Sequence, residues 1–234
     1  MSSPTAGRDG PRIWIVDPSL HGSEDQGVSE VLGDWPGPSR LFRPALRPGD
    51  GPSERTGYDT DGVVVLGSAA SVHDVAPWID DLAGWLAPLL DGRRPLPVLG
   101  VCFGHQLVTH VAGGEVSWVR PDRSKIVGVD SVAVRGSRLV DGATTLRAVF
   151  SHREHVRGAT KDYRVVAARS PGALDGLEHA DLPVFTYQFH PEARDEFAVR
   201  AGIDPREIDA RVIDDTRRLL AAFRATVARY ARQG

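Results

Sequence analysis

The chain has 234 residues, a formal net charge of −3 and a single cysteine, Cys102. That balance excludes a polyanion-binding protein whose affinity rests on phosphate neutralisation. One cysteine excludes both an internal disulfide framework and a thiolate zinc site. No apolar run is long enough to suggest a membrane span, and the Ser/Gly/Pro-rich start lacks the apolar core of a signal peptide. The expectation is a cytoplasmic chain with a flexible segment at 1–11 and one domain over 12–234. Surface scaling predicts that such a chain buries about 70% of its unfolded surface, enough for a core without staples.

Ile13-Trp14-Ile15-Val16 is a short apolar run closed by Asp17-Pro18, which predicts a first buried strand. Between Ser19 and Trp35, Val28, Val31 and Leu32 keep helical spacing, but Gly22, Gly27 and Gly33 weaken the pattern. Ser39–Ala45 reads as a second strand and Pro48–Asp61 as a loop. Gly62–Gly67 is a β-branched strand bounded by glycines. Pro77–Leu90 predicts a helix with Trp78, Ile79, Leu82, Trp85, Leu86 and Leu89 on one face, started by Pro77 and stopped at Asp91-Gly92. Leu96–Val101 is the next strand and Phe103–Val111 the next helix. Strand–helix alternation of this kind implies right-handed crossovers and a parallel sheet.

From Glu115 to Ala168 the apolar residues fall in short segments separated by turns, which predicts strands and hairpins. Pro183–Phe189 is a last strand, followed by a polar turn around Pro191. The C-terminal segment predicts a long helix, with Asp204 as N-cap, Pro205 first, Glu207 closing a capping box, and an apolar stripe from Ile208 to Tyr230. Arg224, Arg229 and Arg232 then complement its dipole on a solvated face.

The chemistry concentrates in Gly100-Val101-Cys102-Phe103-Gly104-His105-Gln106. A cysteine with glycines two residues to either side, between a strand and a helix, has the pattern of a nucleophile elbow. The sharp turn lifts the side chain above the sheet, and the helix N-terminus favours thiolate. A lone cysteine is otherwise most simply a small buried apolar residue. A nucleophile needs a base, and the base an orienting group. Far downstream, after a predicted strand, stands Gln188-Phe189-His190-Pro191-Glu192. His190 would sit at a C-terminal strand end, where α/β sites gather, and Glu192 could fix its tautomer. Taken alone, His-Pro-Glu is equally a surface turn; paired with the elbow it makes a candidate Cys–His–Glu triad.

Together these two motifs closely resemble class I glutamine amidotransferases of the triad type, over roughly Asp61–Glu192. The resemblance implies a flavodoxin-like, mostly parallel open sheet flanked by helices, to which the patterns above add a small β-rich insertion and a long C-terminal helix. It implies Cys102 as nucleophile, His190 as base and Glu192 as orienter. L-Glutamine would be cleaved through a γ-glutamyl thioester and ammonia handed to a separately encoded synthetase.

The resemblance further implies an oxyanion hole from the N–H groups of Phe103 and Ser68, the latter in the turn Gly67-Ser68-Ala69-Ala70. The family pattern carries glycine and proline at the Ser68 and Ala69 positions. Ser151-His152-Arg153 resembles a Ser-His-Gly segment that holds the two ends of glutamine, with Arg153 replacing glycine. Gly67 and Gln106 match positions lining the substrate site, although Gln106 also reads as a helix-packing residue. A γ-glutamyl hydrolase and a non-catalytic regulatory subunit are the alternatives. No cofactor is implied: there is no P-loop or Rossmann glycine pattern, and His105/His110 and His152/His155 lack metal-ligand spacing.

Overall fold

A computed structural model describes residues 10–233, so residues 1–9 of the expected flexible segment lie outside it. The first strand, β1 (Ile13–Val16), is followed by α1 (Asp25–Leu32), β2 (Ser39–Phe42), β3 (Gly62–Val65), α2 (Pro77–Leu90), β4 (Val98–Val101) and α3 (Phe103–Val111). Then come β5 (Glu115–Trp118), β6 (Ile126–Arg135), β7 (Ala143–His152), β8 (Glu154–Gly158), β9 (Tyr163–Ala168), β10 (Gly176–His179) and β11 (Val184–Tyr187). Helices α4 (Asp195–Ala201) and α5 (Ala210–Ala231) complete the chain.

Nine strands form one sheet in the order β2-β1-β3-β4-β11-β10-β9-β6-β7. The first five run parallel, and antiparallel pairings then extend the sheet through β10, β9, β6 and β7. This is the mostly parallel, flavodoxin-like sheet that strand–helix alternation predicts. Most of the β-rich segment therefore continues the main sheet, and only β5 and β8 pair separately.

Both faces of the parallel strands are covered, which is why these strands read as unbroken apolar runs. Along β1, Ile13 and Ile15 pack with Val28 and Val31 of α1 and Leu219, Leu220 and Phe223 of α5. Trp14 and Val16 point the other way, to Leu82, Trp85 and Leu86 of α2 and Leu107 of α3.

Several expected boundaries shift for local reasons. The second strand stops at Phe42, ahead of Pro44, and the last stops at Tyr187, with the Gln188 N–H bonded to the Asp175 carbonyl just ahead of β10. The C-terminal helix begins later than expected. Asp204 caps a separate 3-10 turn by accepting from the Arg206 N–H, and Asp209 caps α5 by accepting from Val212. Glu207 closes no capping box; its N–H donates to the Asp204 carbonyl. Arg224 is not simply solvated: it donates to the Val31 carbonyl and pairs with Asp34, tying α5 to α1. No helix among the described residues is long and apolar enough to cross a membrane.

Candidate active site

Cys102 stands where β4 turns into α3, with φ 50° and ψ −98°. A non-glycine residue held there is strained by about 1–3 kcal/mol, a cost that persists only where the surroundings enforce it. The enforcement is visible on both sides. The Cys102 N–H donates to the Tyr187 carbonyl of β11 at 2.8 Å, and the Cys102 carbonyl accepts from Gln106 at 3.0 Å. The flanking glycines let α3 approach the sheet. A Cβ on Gly104 would lie 2.2 Å from the Val65 carbonyl oxygen, and one on Gly100 2.6 Å from that of Gly104.

His190 is placed by β7: its N–H donates to the Val149 carbonyl at 2.8 Å. Its Nδ1 meets Glu192 Oε1 at 2.8 Å, and both side chains are buried. Nε2 of His190 and Oε2 of Glu192 have no hydrogen-bond partner among the described residues. Gly67 lies against both sides of the pair, since a Cβ there would sit 2.6 Å from His190 Cε1 and 3.4 Å from Cys102 Cβ. Burial pulls the His190 pKa down, but the Glu192 carboxylate and then Cys102 outweigh it, and the net is a rise to about 10. Cys102, His190 and Glu192, distant in sequence, thus meet at the C-terminal edge of the parallel strands.

They open into a cleft of about 580 Å³, within the roughly 300–1,000 Å³ typical of small-molecule sites. Gly67, Ser68, Gln106, Ser151, His152 and Arg153 all line it. Phe103 is fully buried. The N–H groups of Ser68 and Phe103 have no acceptor among the described residues.

Other members of the expected set are engaged within the protein. Gln106 Nε2 donates to the Glu154 carbonyl at 2.7 Å and to Gln188 Oε1 at 3.2 Å, so its packing role is real. His152 is tied on both nitrogens, Nδ1 to the Glu154 carbonyl and Nε2 to Arg169. Burial chiefly lowers its pKa, to about 4, so the ring is neutral at pH 7 and shapes the wall. Cys102 Sγ lies 3.8 Å from the Ser151 carbonyl.

The expected set omits a whole wall of the cleft. Glu24, at the start of α1, and Phe197 and Arg200, on α4, line it. Phe197 packs on the His190 ring at 4.4 Å between centroids. Glu24 pairs with Arg200, and burial, reinforced by Glu192, raises its pKa to about 7 against the opposing pull of Arg200. The acidic pair Asp195-Glu196 before Phe197, and Gly202 in left-handed conformation after Ala201, are helix-end signals that could have revealed α4. Arg194, buried, holds the His-Pro-Glu turn by donating to the Pro191 and Ala193 carbonyls and to Glu30 at 2.7 Å. Lys125, just ahead of β6, also lines the cleft. Among the described residues no group of three His, Cys, Asp or Glu could hold a metal ion.

Fold and site together have the form of an α/β enzyme that raises a cysteine at a strand-to-helix turn above a parallel sheet. The chain belongs to the class I glutamine amidotransferase family, whose family model matches residues 43–198. It is 30% identical over 100 residues to a glutamine-hydrolysing GMP synthase subunit of Methanopyrus kandleri, covering 42% of this chain and 53% of that protein. It is 37% identical over 100 residues to the anthranilate synthase component 2 of Methanothermobacter marburgensis, covering 42% of this chain and 50% of that one. The matches thus span about half the length of these two relatives. A solved glutamine amidotransferase from Thermotoga maritima shares the fold, with a TM-score of 0.73 at 16% identity over 93% of this chain and 98% of that one.

Proposed function

We propose that this chain is the glutaminase component of a glutamine amidotransferase, releasing ammonia from the side chain of glutamine for a separate synthetase. The observation that carries this is the convergence of Cys102, His190 and Glu192 beside Gly67 at the mouth of one cleft. The names of the two relatives, one a subunit and the other a component, favour a separately encoded acceptor enzyme.

In this reading the Cys102 thiolate attacks the side-chain carbonyl of glutamine. The oxyanion is received by the N–H groups of Phe103 and Ser68. A histidine with a pKa near 10 is protonated at neutral pH, so His190 first acts as an acid. It donates its Nε2 proton to the leaving nitrogen as the C–N bond breaks, giving ammonia and the γ-glutamyl thioester. Neutral His190 then takes a proton from water, which attacks the thioester. Breaking of the C–S bond frees glutamate and regenerates the thiolate and imidazolium. Glu192 holds Nδ1 throughout and stabilises the imidazolium.

Arg153, exposed at the rim where the family pattern has glycine, favours a second reading, a γ-glutamyl hydrolase with a larger leaving amine. The test is glutamate release from glutamine and from a γ-glutamyl dipeptide, with Cys102→Ala as blank. Cys102-dependent turnover of glutamine supports the glutaminase; preferential cleavage of the dipeptide replaces it with the hydrolase; equal rates in the blank refute both.

A further inference from the structure

The charges around the cleft do not balance locally. Arg200 is paired with Glu24, and His190 with Glu192. Glu154, buried in the wall, accepts from Ser71 Oγ at 2.9 Å. Two cations on the cleft remain without a carboxylate at ion-pair distance among the described residues, Lys125 and Arg153. Both residues are exposed. The Lys125 ammonium is nevertheless partly withdrawn from water, and that burial lowers its pKa.

Strand register explains how they come together. Ile126 of β6 pairs with His152 of β7, and Val127 with Ser151, whose carbonyl contacts Cys102 Sγ. Lys125 and Arg153 are the residues next along the chain from the Ile126–His152 pair, and both line the cleft. After burial, Cys102 favours the Lys125 charge and Arg153 opposes it. A partly desolvated ammonium beside a second cation is costly when unpaired, and that cost is recovered when an anion enters the cleft. Glutamine brings one: its α-carboxylate carbon is four bonds from the carbonyl carbon under attack, by way of Cγ, Cβ and Cα, roughly 5 Å at about 1.5 Å per bond.

We infer that Lys125 holds the α-carboxylate of the amide donor and so restricts the site to γ-amides that carry a free α-carboxylate. This rests on the glutaminase reading and deepens it. Lys125 is an anchoring residue, and its signature is in KM and donor choice, not in the bond-breaking step.

The experiment compares L-glutamine with glutamine α-amide, in which a neutral amide replaces the carboxylate, on wild type, Lys125→Met and Lys125→Arg. Wild type is expected to prefer glutamine at least 30-fold in kcat/KM. Lys125→Met should raise KM for glutamine 10- to 100-fold with kcat within threefold, and should erase the preference; Lys125→Arg should restore much of it. An undiminished preference in Lys125→Met, or an equal fall in kcat for both donors, overturns the inference. A second arm needs no turnover: the rates at which iodoacetate and neutral iodoacetamide alkylate Cys102. Lys125→Met should lower the iodoacetate to iodoacetamide ratio several-fold, and an unchanged ratio counts against an anion-holding Lys125. If that ratio depends on Lys125 while wild type hydrolyses neither donor, the carboxylate site stands and the glutaminase reading falls. If glutamine is hydrolysed but neither preference depends on Lys125, the reading stands and this inference falls.

Discussion

Gly67→Ala probes how closely the proposed catalytic groups are fitted to the turn after β3. The added Cβ would stand 2.6 Å from His190 Cε1 and needs to reach about 3.4 Å, an ordinary contact, so the ring must retreat by about 0.8 Å. His190 has no easy retreat. Its N–H is bonded to Val149, its Nδ1 to Glu192, and Phe197 packs on the ring. A misplacement approaching 1 Å costs about 100-fold in rate, or about 2.7 kcal/mol of transition-state stabilisation. Gly67 is not among the positive-φ residues, so its backbone accepts alanine, but overpacking against a ring that cannot easily retreat should cost about 1–3 kcal/mol of stability. The assay is kcat/KM for glutamine beside a thermal melt, with Gly84→Ala as control, since a Cβ on Gly84 meets nothing within 4 Å. The expected result is a rate about 100-fold below wild type with a Tm lowered by roughly 2–12 °C. A rate within threefold of wild type would refute the packing argument.

Glu192→Gln should slow turnover by about 10²–10⁴, yet less than Cys102→Ala does, and should move the alkaline limb of the pH–rate profile to lower pH. The sign follows because Glu192 is the largest contribution raising the His190 pKa, and without it burial pulls that pKa down; an unmoved limb rejects this. Gly104→Ala should lower stability by about 3 kcal/mol despite the higher helix propensity of alanine, because the Cβ meets backbone 2.2 Å away in β3. A Tm drop of roughly 6–12 °C is expected, and an unchanged or raised Tm disproves the clash. His105 has its pKa lowered to about 4, chiefly by burial, with the Leu174 carbonyl partly opposing. Its folded pKa is below the unfolded value of about 6.5, so its stabilisation is complete above that value and lost as pH falls toward 4, by about 3 kcal/mol. Denaturant unfolding at pH 7.5 and 5 checks this, and His105→Asn should lose less stability on acidification than wild type does.

What is legible in the sequence is what local sterics enforce. The elbow can be read because only glycine fits at 100 and 104, where added carbons would strike backbone. The His-Pro-Glu spacing can be read because a two-residue separation lets Glu192 reach His190 Nδ1. Helix α1 is obscured by a glycine with a long-range purpose: a Cβ on Gly27 would lie 3.0 Å from Glu192 Cγ. The residue that weakens the helical pattern is the one that makes room for the carboxylate. Likewise Arg194 reaches Glu30 across 164 positions, and Lys125 enters the cleft through strand register. Neither pairing leaves a trace in local periodicity. The sheet extension through β10 is hidden for the same reason, as its four residues pair at both edges with strands that are themselves short.

The departure at Ser68 and Ala69 also becomes intelligible once the turn is seen in place. Ser68 Oγ donates to the Pro18 carbonyl at 2.7 Å and accepts from the Ala70 N–H at 3.1 Å. The side chain is thus committed to backbone groups of its own turn and of the β1–α1 connection. Farther along, Ser71 Oγ donates to Glu154 on the opposite wall. A glycine–proline turn is stiffened by proline through its fixed φ; here two hydroxyls stiffen it by hydrogen bonds at both ends. The backbone N–H of Ser68 keeps no acceptor among the described residues, which is the condition an oxyanion donor must meet. The same bonds couple the proposed donor to the connection leading into Glu24 and, through Arg200, to α4. A partner that displaced α4 or the β1–α1 connection would therefore act on the proposed oxyanion donor and the His190 wall together, through a short chain of bonded contacts.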